Sequence, residues 1–385
     1  MTEDWQHGGF GLYIHWPFCE AKCPYCDFNS HVSRHIDQRA WRDAYLTELT
    51  RAASETSGRV LNAVFFGGGT PSLMDPDVVA DIITRVKQLW PTANDLEITL
   101  EANPSSVEAG RFAAYRQAGI SRVSMGIQAL NDPDLRRLGR IHTATEALTA
   151  FNVARNAFDR VSFDLIYGRQ DQTLAAWKNE LKTALNLAID HLSLYQLTIE
   201  SGTAFGDRYA CGKLQGLPDD DLGADMYELT QDLCGSMGMP AYEVSNHARD
   251  SAQSRHNLIY WRYGDYVGIG PGAHGRITVG GKKFATVCYS NPQRWLDGVA
   301  EKSPEKPREV LSKRDQANEF LLMGLRLKEG VSLQRYEKLL GQALPDNKIA
   351  HLEAIGMITC ANDNMSVTNQ GLMVLNVVLE ELLVD

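Results

Sequence analysis

Apolar and polar positions run in two periods along the first half of the chain. Short β-rich runs at 11–16, 60–66, 96–101, 122–128, 160–167 and 191–199 are separated by stretches with helical spacing at 36–55, 76–89, 107–118, 145–157 and 174–187. In the last of these, Leu174, Trp177, Leu181, Ala184 and Leu185 fall near one helical face. Strands that alternate with helices call for a parallel sheet with right-handed crossovers. Full closure takes eight such units in about 250 residues. A doubly wound sheet and a barrel both fit an α/β fold of this kind, and six units make a partial (β/α)6 TIM-like barrel the better fit.

Past residue 202 the alternation decays. A helix at 222–237 and a strand-like 241–245 precede a loop-rich, aromatic stretch. Glu301-Lys-Ser-Pro-Glu-Lys-Pro-Arg308, charged and with two prolines, reads as a linker. Helices at 313–327, 333–340 and 347–355, a hairpin at 357–367 and a last helix at 372–382 then predict a winged-helix-like α+β domain. The expected division is a barrel over 1–205, its extension over 206–300 and the C-terminal domain over 310–385.

Composition excludes several classes. Hydrophobic residues at 44% and charged residues at 22% are ordinary globular values, which removes disordered and fibrous readings. No apolar run reaches the roughly 18–20 residues of a membrane span. The acidic start, Met1-Thr-Glu-Asp-Trp5, has no apolar core behind it, so it is not read as a signal peptide and a cytoplasmic location is expected. Lys plus Arg number 38 against 48 Asp plus Glu, a net of −10. That sign does not supply a phosphate-neutralising field, so no nucleic-acid partner is expected. The C-terminal 310–385 carries seven Lys/Arg against ten Asp/Glu, which favours packing or protein interaction over DNA binding. Oligomeric state stays open, a homodimer included.

Seven cysteines, an odd number, argue against a disulfide framework. Three of them, Cys19, Cys23 and Cys26, follow the first strand, at the strand end where barrel enzymes place their chemistry. Spacings of four and three let three thiolates meet one inorganic centre, and thiolates select zinc or iron–sulfur. Zinc asks for a fourth ligand, for which His15 or His31 are the candidates. A redox pair of Cys23 and Cys26 would leave Cys19 idle. A cubane cluster normally takes four cysteines, so three leave one iron open to an outside ligand.

Tyr13-Ile-His-Trp-Pro-Phe-Cys19-Glu-Ala-Lys-Cys23-Pro-Tyr-Cys26 resembles the cysteine motif of the radical S-adenosylmethionine (SAM) superfamily. Phe65-Phe66-Gly67-Gly68-Gly69-Thr70-Pro71, ending the second strand, resembles its glycine motif. The resemblance implies a [4Fe–4S] cluster on the three cysteines, with SAM chelating the fourth iron and being cleaved to a 5′-deoxyadenosyl radical on reduction. It also implies SAM contacts at Tyr13, Gly68, Gly69, Thr70, Glu101, Gln128, Arg140 and Asp164, with Glu101 as a ribose hydroxyl acceptor. On pattern alone, the polar residues at these strand ends are equally read as caps or satisfied barrel polars.

Within the superfamily the chain resembles the branch of oxygen-independent coproporphyrinogen III dehydrogenases and related heme chaperones. The dehydrogenases continue the triad to a further cysteine where this chain has Phe28, which favours the chaperone side. Arg255-His256-Asn257-Leu258-Ile259-Tyr260-Trp261 resembles the chaperones' H-N-x-x-Y-W signature, and the resemblance makes His256 a heme ligand. Neutral imidazole is a common axial ligand. Asn257 is placed to orient it, and His247 and His274 are candidates for a second ligand. The implied partners are heme and a heme-accepting protein, such as a membrane-associated cytochrome or a heme-storing protein. No catalytic side chain is assigned. Radical-driven decarboxylation of a porphyrinogen propionate is the rival reading.

Overall fold

The computed structural model describes residues 3–33 and 35–384. Met1 and Thr2, the beginning of the segment read for an export signal, lie outside the described residues. The six expected strands form as β1 Phe10–Trp16, β2 Leu61–Gly68, β3 Thr92–Ala102, β4 Arg122–Gln128, β5 Arg160–Tyr167 and β6 His191–Gln196. All neighbours in this series pair in parallel. The crossovers run through α1 Gln38–Glu55, α2 Pro76–Leu89, α3 Phe112–Ala118, α4 Ala144–Ala157 and α5 Leu174–Leu187. Four of the five starts are chemically marked, and α3 follows Arg111 without a side-chain cap. Asp37, Thr143 and Thr173 cap α1, α4 and α5 by accepting backbone N–H groups, and Pro76 opens α2. Phe10, Leu12, Ile14 and Trp16 of β1 are buried along with Val79, Ile82 and Val86 of α2.

The sheet is longer than the sequence pattern suggests. After α6 Asp220–Ser236 come β7 Asn246–Ala248, α7 Arg255–Trp261, β8 Asp265–Ile269, β9 His274–Val279, β10 Lys282–Val287 and β11 Glu309–Val310. These complete an eleven-stranded sheet of order β11-β10-β9-β8-β1-β2-β3-β4-β5-β6-β7. β8 lies parallel to β1 and makes a seventh parallel strand where a loop-rich stretch was expected. Gly268 within it marks close strand contact, since a Cβ there would sit 2.0 Å from the His274 carbonyl oxygen, and Gly270 and Gly272, both at positive φ, turn the chain into β9. The strand expected at 241–245 is reduced to a bridge between Ala241 and His247, because Glu243 turns back to accept from the Ser245 N–H at 2.9 Å.

The Glu301–Arg308 stretch is fastened on two sides: Arg308 donates to Glu55 of α1 at 3.2 Å, and Tyr289 N–H, just past β10, donates to the Pro304 carbonyl at 3.1 Å. Beyond it, α8 Lys313–Gly324, β12 Val331–Ser332, α9 Leu333–Leu340, α10 Asp346–Ala354, the hairpin β13 Ile358–Ala361 and β14 Asn364–Val367, and α11 Leu375–Leu382 form the winged-helix-like part. Its sheet order is β12-β14-β13. It has its own core, with Leu321, Tyr336, Met365 and Leu382 fully buried. None of the described helices is long and apolar enough to cross a membrane.

Candidate functional site

The cysteine loop is gripped at its stem by the end of β2. Gly69 N–H donates to the Trp16 carbonyl at 2.7 Å, and Thr70 N–H to the Phe18 carbonyl at 2.8 Å. A side chain at Gly69 would place Cβ 2.6 Å from that Phe18 oxygen, so only glycine permits the approach. Gly68 adopts φ +110° directly under the His15 imidazole. Phe18–Cys19 pairs with His31–Val32, which closes the loop, and Cys26 N–H bonds back to the Cys23 carbonyl.

Cys19, Cys23, Cys26, Gly68, Gly69, Thr70, Glu101, Gln128, Arg140 and Asp164 all line one cavity of about 140 Å³. Thr70 Oγ1 donates to Cys19 Sγ at 3.4 Å, and Arg140 Nη1 to Cys23 Sγ at 3.3 Å. Arg140 is drawn inward by Asn103 Oδ1 at 2.7 Å and the Gly126 carbonyl at 2.9 Å. Asn103, in the Glu101-Ala-Asn-Pro run, is a site residue the sequence reading missed; its place two residues after Glu101 was the available signal. Gln128 holds a left-handed φ of 73°, uncommon for a non-glycine residue. Gln128 Oε1 and Arg140 Nε are buried without partners. Buried polar atoms are normally paired, so two orphaned ends on one wall fit a polar ligand.

Burial pushes the Cys19 and Cys26 thiols up, partly opposed at Cys19 by the Thr70 hydroxyl. A metal is what would hold such thiols as thiolates at neutral pH. Zinc through His15 does not fit, because both its nitrogens are engaged: Nδ1 with Tyr13 OH at 3.0 Å and Nε2 with the Asn29 carbonyl at 2.9 Å. His31 Nε2 is taken by Asn29 Oδ1 at 3.2 Å. Among the described residues no three His, Cys, Asp or Glu side chains gather as a single ion requires. A cubane places each thiolate on a different iron and does not ask for that convergence. Glu101 accepts from the Gly68 N–H at 3.2 Å; enclosure and then the nearby Asp164 push its carboxyl up to about 8. Enclosure raises Asp164 to about 6, against hydrogen bonds from Ser193 and Ser124.

A second cavity of about 770 Å³ adjoins the first and shares Phe28, Gly68 and Glu101 with it. Tyr13 lies on this larger wall, with Tyr260 and Trp261 of α7, Tyr263 and Tyr266; His274, Arg276 and Lys306 also line it. His256 does not line it. It is 2% exposed and stacked on Phe65 at 4.4 Å, with Nε2 bonded to Tyr260 OH at 2.5 Å. Its Nδ1 has no partner, and burial pushes its pKa down to about 3. Asn257 does not orient the imidazole: its Nδ2 donates to Tyr242 OH at 3.3 Å. His247 is buried on β7, away from the cavity lining, whereas His274 is on it.

A family model described as the radical SAM superfamily matches residues 13–184, and one described as the HemN C-terminal domain matches 311–374. The chain is 37% identical to "Radical S-adenosyl methionine domain-containing protein 1, mitochondrial" of Bos taurus, over 97% of this chain and 87% of that one. The chain belongs to the radical SAM superfamily. As a radical SAM protein it carries the donor set for a [4Fe–4S] cluster and SAM. It is 39% identical to "Heme chaperone HemW" of Haemophilus influenzae, over 97% of this chain and 98% of that one. A solved structure, coproporphyrinogen III oxidase (HemN) from Escherichia coli, matches with a TM-score of 0.80 at 21% identity, covering 97% of this chain and 90% of that one. The radical SAM chain thus shares the HemN fold over nearly its whole length.

Proposed function

We propose that this radical SAM chain is a heme chaperone: it holds a [4Fe–4S] cluster, SAM and heme, and passes heme to an acceptor protein. The observation that carries the reading is the pair of adjoining cavities. One has three thiols and a polar wall; the other is larger, aromatic and within the size range of sites for sizeable organic ligands. The names of relatives at 38–39% identity, "Heme chaperone HemW", support it. Cys19, Cys23 and Cys26 would hold the cluster. When bound, the cluster supplies an open iron for the amino and carboxylate groups of SAM and, once reduced, the electron for SAM cleavage. Gly68, Gly69, Thr70, Glu101, Gln128, Arg140 and Asp164 form the wall proposed for SAM, and Tyr13 adjoins it from the larger cavity.

His256 is the proposed heme ligand. Its low pKa keeps the imidazole neutral at physiological pH, as iron ligation requires. Ligation through Nε2 asks it to give up the Tyr260 hydroxyl, whose ring lies between that nitrogen and the cavity. The acceptor is proposed to be a cytochrome or heme-storing protein met in the cytoplasm or at the membrane surface, with a homodimer as a further proposal.

Heme titration of anaerobically reconstituted protein tests the reading. The expected result is a bound heme spectrum that is lost or altered in His256→Ala while iron and sulfide content stay unchanged. An unaltered spectrum overturns the ligand assignment. Conversion of coproporphyrinogen III to protoporphyrinogen in the presence of SAM and dithionite overturns the chaperone reading in favour of the dehydrogenase.

A further inference from the structure

The larger cavity has a chemically distinct edge. His274 and Arg276, two apart on β9, share one face of the strand. His274 is in register with Val287 of β10, and Lys306 N–H donates to the Val287 carbonyl at 2.8 Å. The register therefore sets Lys306 beside His274, and both line the cavity with Arg276. In a chain with ten more acidic than basic side chains, this concentration of basic groups on one cavity edge is a local reversal.

The three groups are not equivalent. Arg276 is committed to Glu319, to which Nη2 donates at 2.7 Å and Nε at 3.0 Å, and Nη1 donates to the Gly275 carbonyl at 3.0 Å. Its charge is neutralised by a carboxylate of α8. Lys306 is exposed and forms no ion pair among the described residues; the neighbouring acids Glu305 and Glu319 are engaged by arginines. The other carboxylates on the cavity wall are Asp27, on the cysteine loop, and Glu101. Burial, then Arg276 and Lys306, lower the His274 pKa, which leaves it a neutral hydrogen-bonding partner next to an unpaired ammonium.

A cavity with an aromatic wall and a cationic edge suits a flat apolar ligand carrying carboxylates along one side. The geometry points to Lys306, with His274 beside it, as the seat for a propionate carboxylate of heme. Lys306 Nζ donates to the carboxylate, and Glu319 holds Arg276 in place to flank it. This assignment rests on the heme reading above and deepens it: the site selects a porphyrin with free carboxylates.

Parallel titration of the full, reconstituted chain with heme and with heme dimethyl ester tests the inference. Wild-type protein is expected to bind heme about three- to tenfold more tightly than the diester, a preference that narrows as salt is raised. Lys306→Ala brings that ratio close to one and leaves diester affinity unchanged; Lys306→Arg restores the preference. Equal wild-type affinity for the two ligands overturns the propionate seat while leaving the heme reading intact. So does a Lys306→Ala loss of the same factor on both ligands. Failure of the wild-type chain to bind either ligand overturns both readings together.

Discussion

Enclosure at the barrel mouth sets the protonation of Glu101, and that has a measurable consequence. A carboxyl raised from 4.5 to about 8 binds its proton more tightly folded than unfolded. The stability it contributes is present at low pH and is lost as pH climbs from about 4.5 through 8. Asp164, raised from 3.8 to about 6, acts in the same direction over a lower window. In cluster-free protein, Glu101→Gln should match wild type near pH 5 and exceed it by on the order of 2 kcal/mol at pH 8. Denaturant titrations across that range check this. Parallel curves for the two proteins would show that Glu101 ionises without penalty.

Helix α7 illustrates how a short element can be both legible and hidden. Its signature was plain in the sequence, yet no periodicity could reveal that His256 turns toward Phe65 while Tyr260 and Trp261 reach the cavity. Ser254 caps the helix by accepting the Asn257 N–H, and one turn of spacing puts Tyr260 OH on His256 Nε2. Removing that hydroxyl weakens the closed arrangement without touching the imidazole. Tyr260→Phe should cost the heme-free protein about 1 kcal/mol of stability and tighten heme binding by up to about fivefold. Weaker heme binding would instead mark the hydroxyl as a contact of the bound state.

The same contrast holds along the sheet. β1 to β6 were readable because buried parallel strands carry apolar runs, as in Ala63-Val-Phe-Phe66 of β2. β8 was not, because Gly264 and Gly268 look like turn punctuation when their purpose is to let backbones touch. The helix expected over 107–118 breaks into Ser106–Ala109 and α3, and the last helix breaks at Val374. The cysteines and β2 glycines were legible as motifs. Arg140 on Cys23 and Asn103 on Arg140 are long-range contacts that no local pattern encodes.

Taken as one body, the chain divides its two cavities between different parts of its length. Every residue lining the smaller one lies between Cys19 and Asp164, whereas the larger one is closed by Glu319 and Met323 of the C-terminal helix α8. That helix is tied back through α9. Arg335 donates to Asp4 at 2.8 and 2.9 Å and to the Arg262 carbonyl at 2.9 Å, with its guanidinium 4.6 Å over the Phe320 ring. Arg335 thus joins the N-terminus, the end of α7 and the C-terminal core. Truncating it leaves a partly buried Asp4 carboxylate and a carbonyl without their donor, a loss of about 2–3 kcal/mol. Arg335→Ala should therefore raise amide hydrogen exchange over residues 313–382 and weaken heme binding. Iron and sulfide content should hold, because no cysteine ligand or SAM-wall residue depends on that contact. Iron content falling in step with heme capacity would show instead that the two cavities stand or fall as a single cooperative unit.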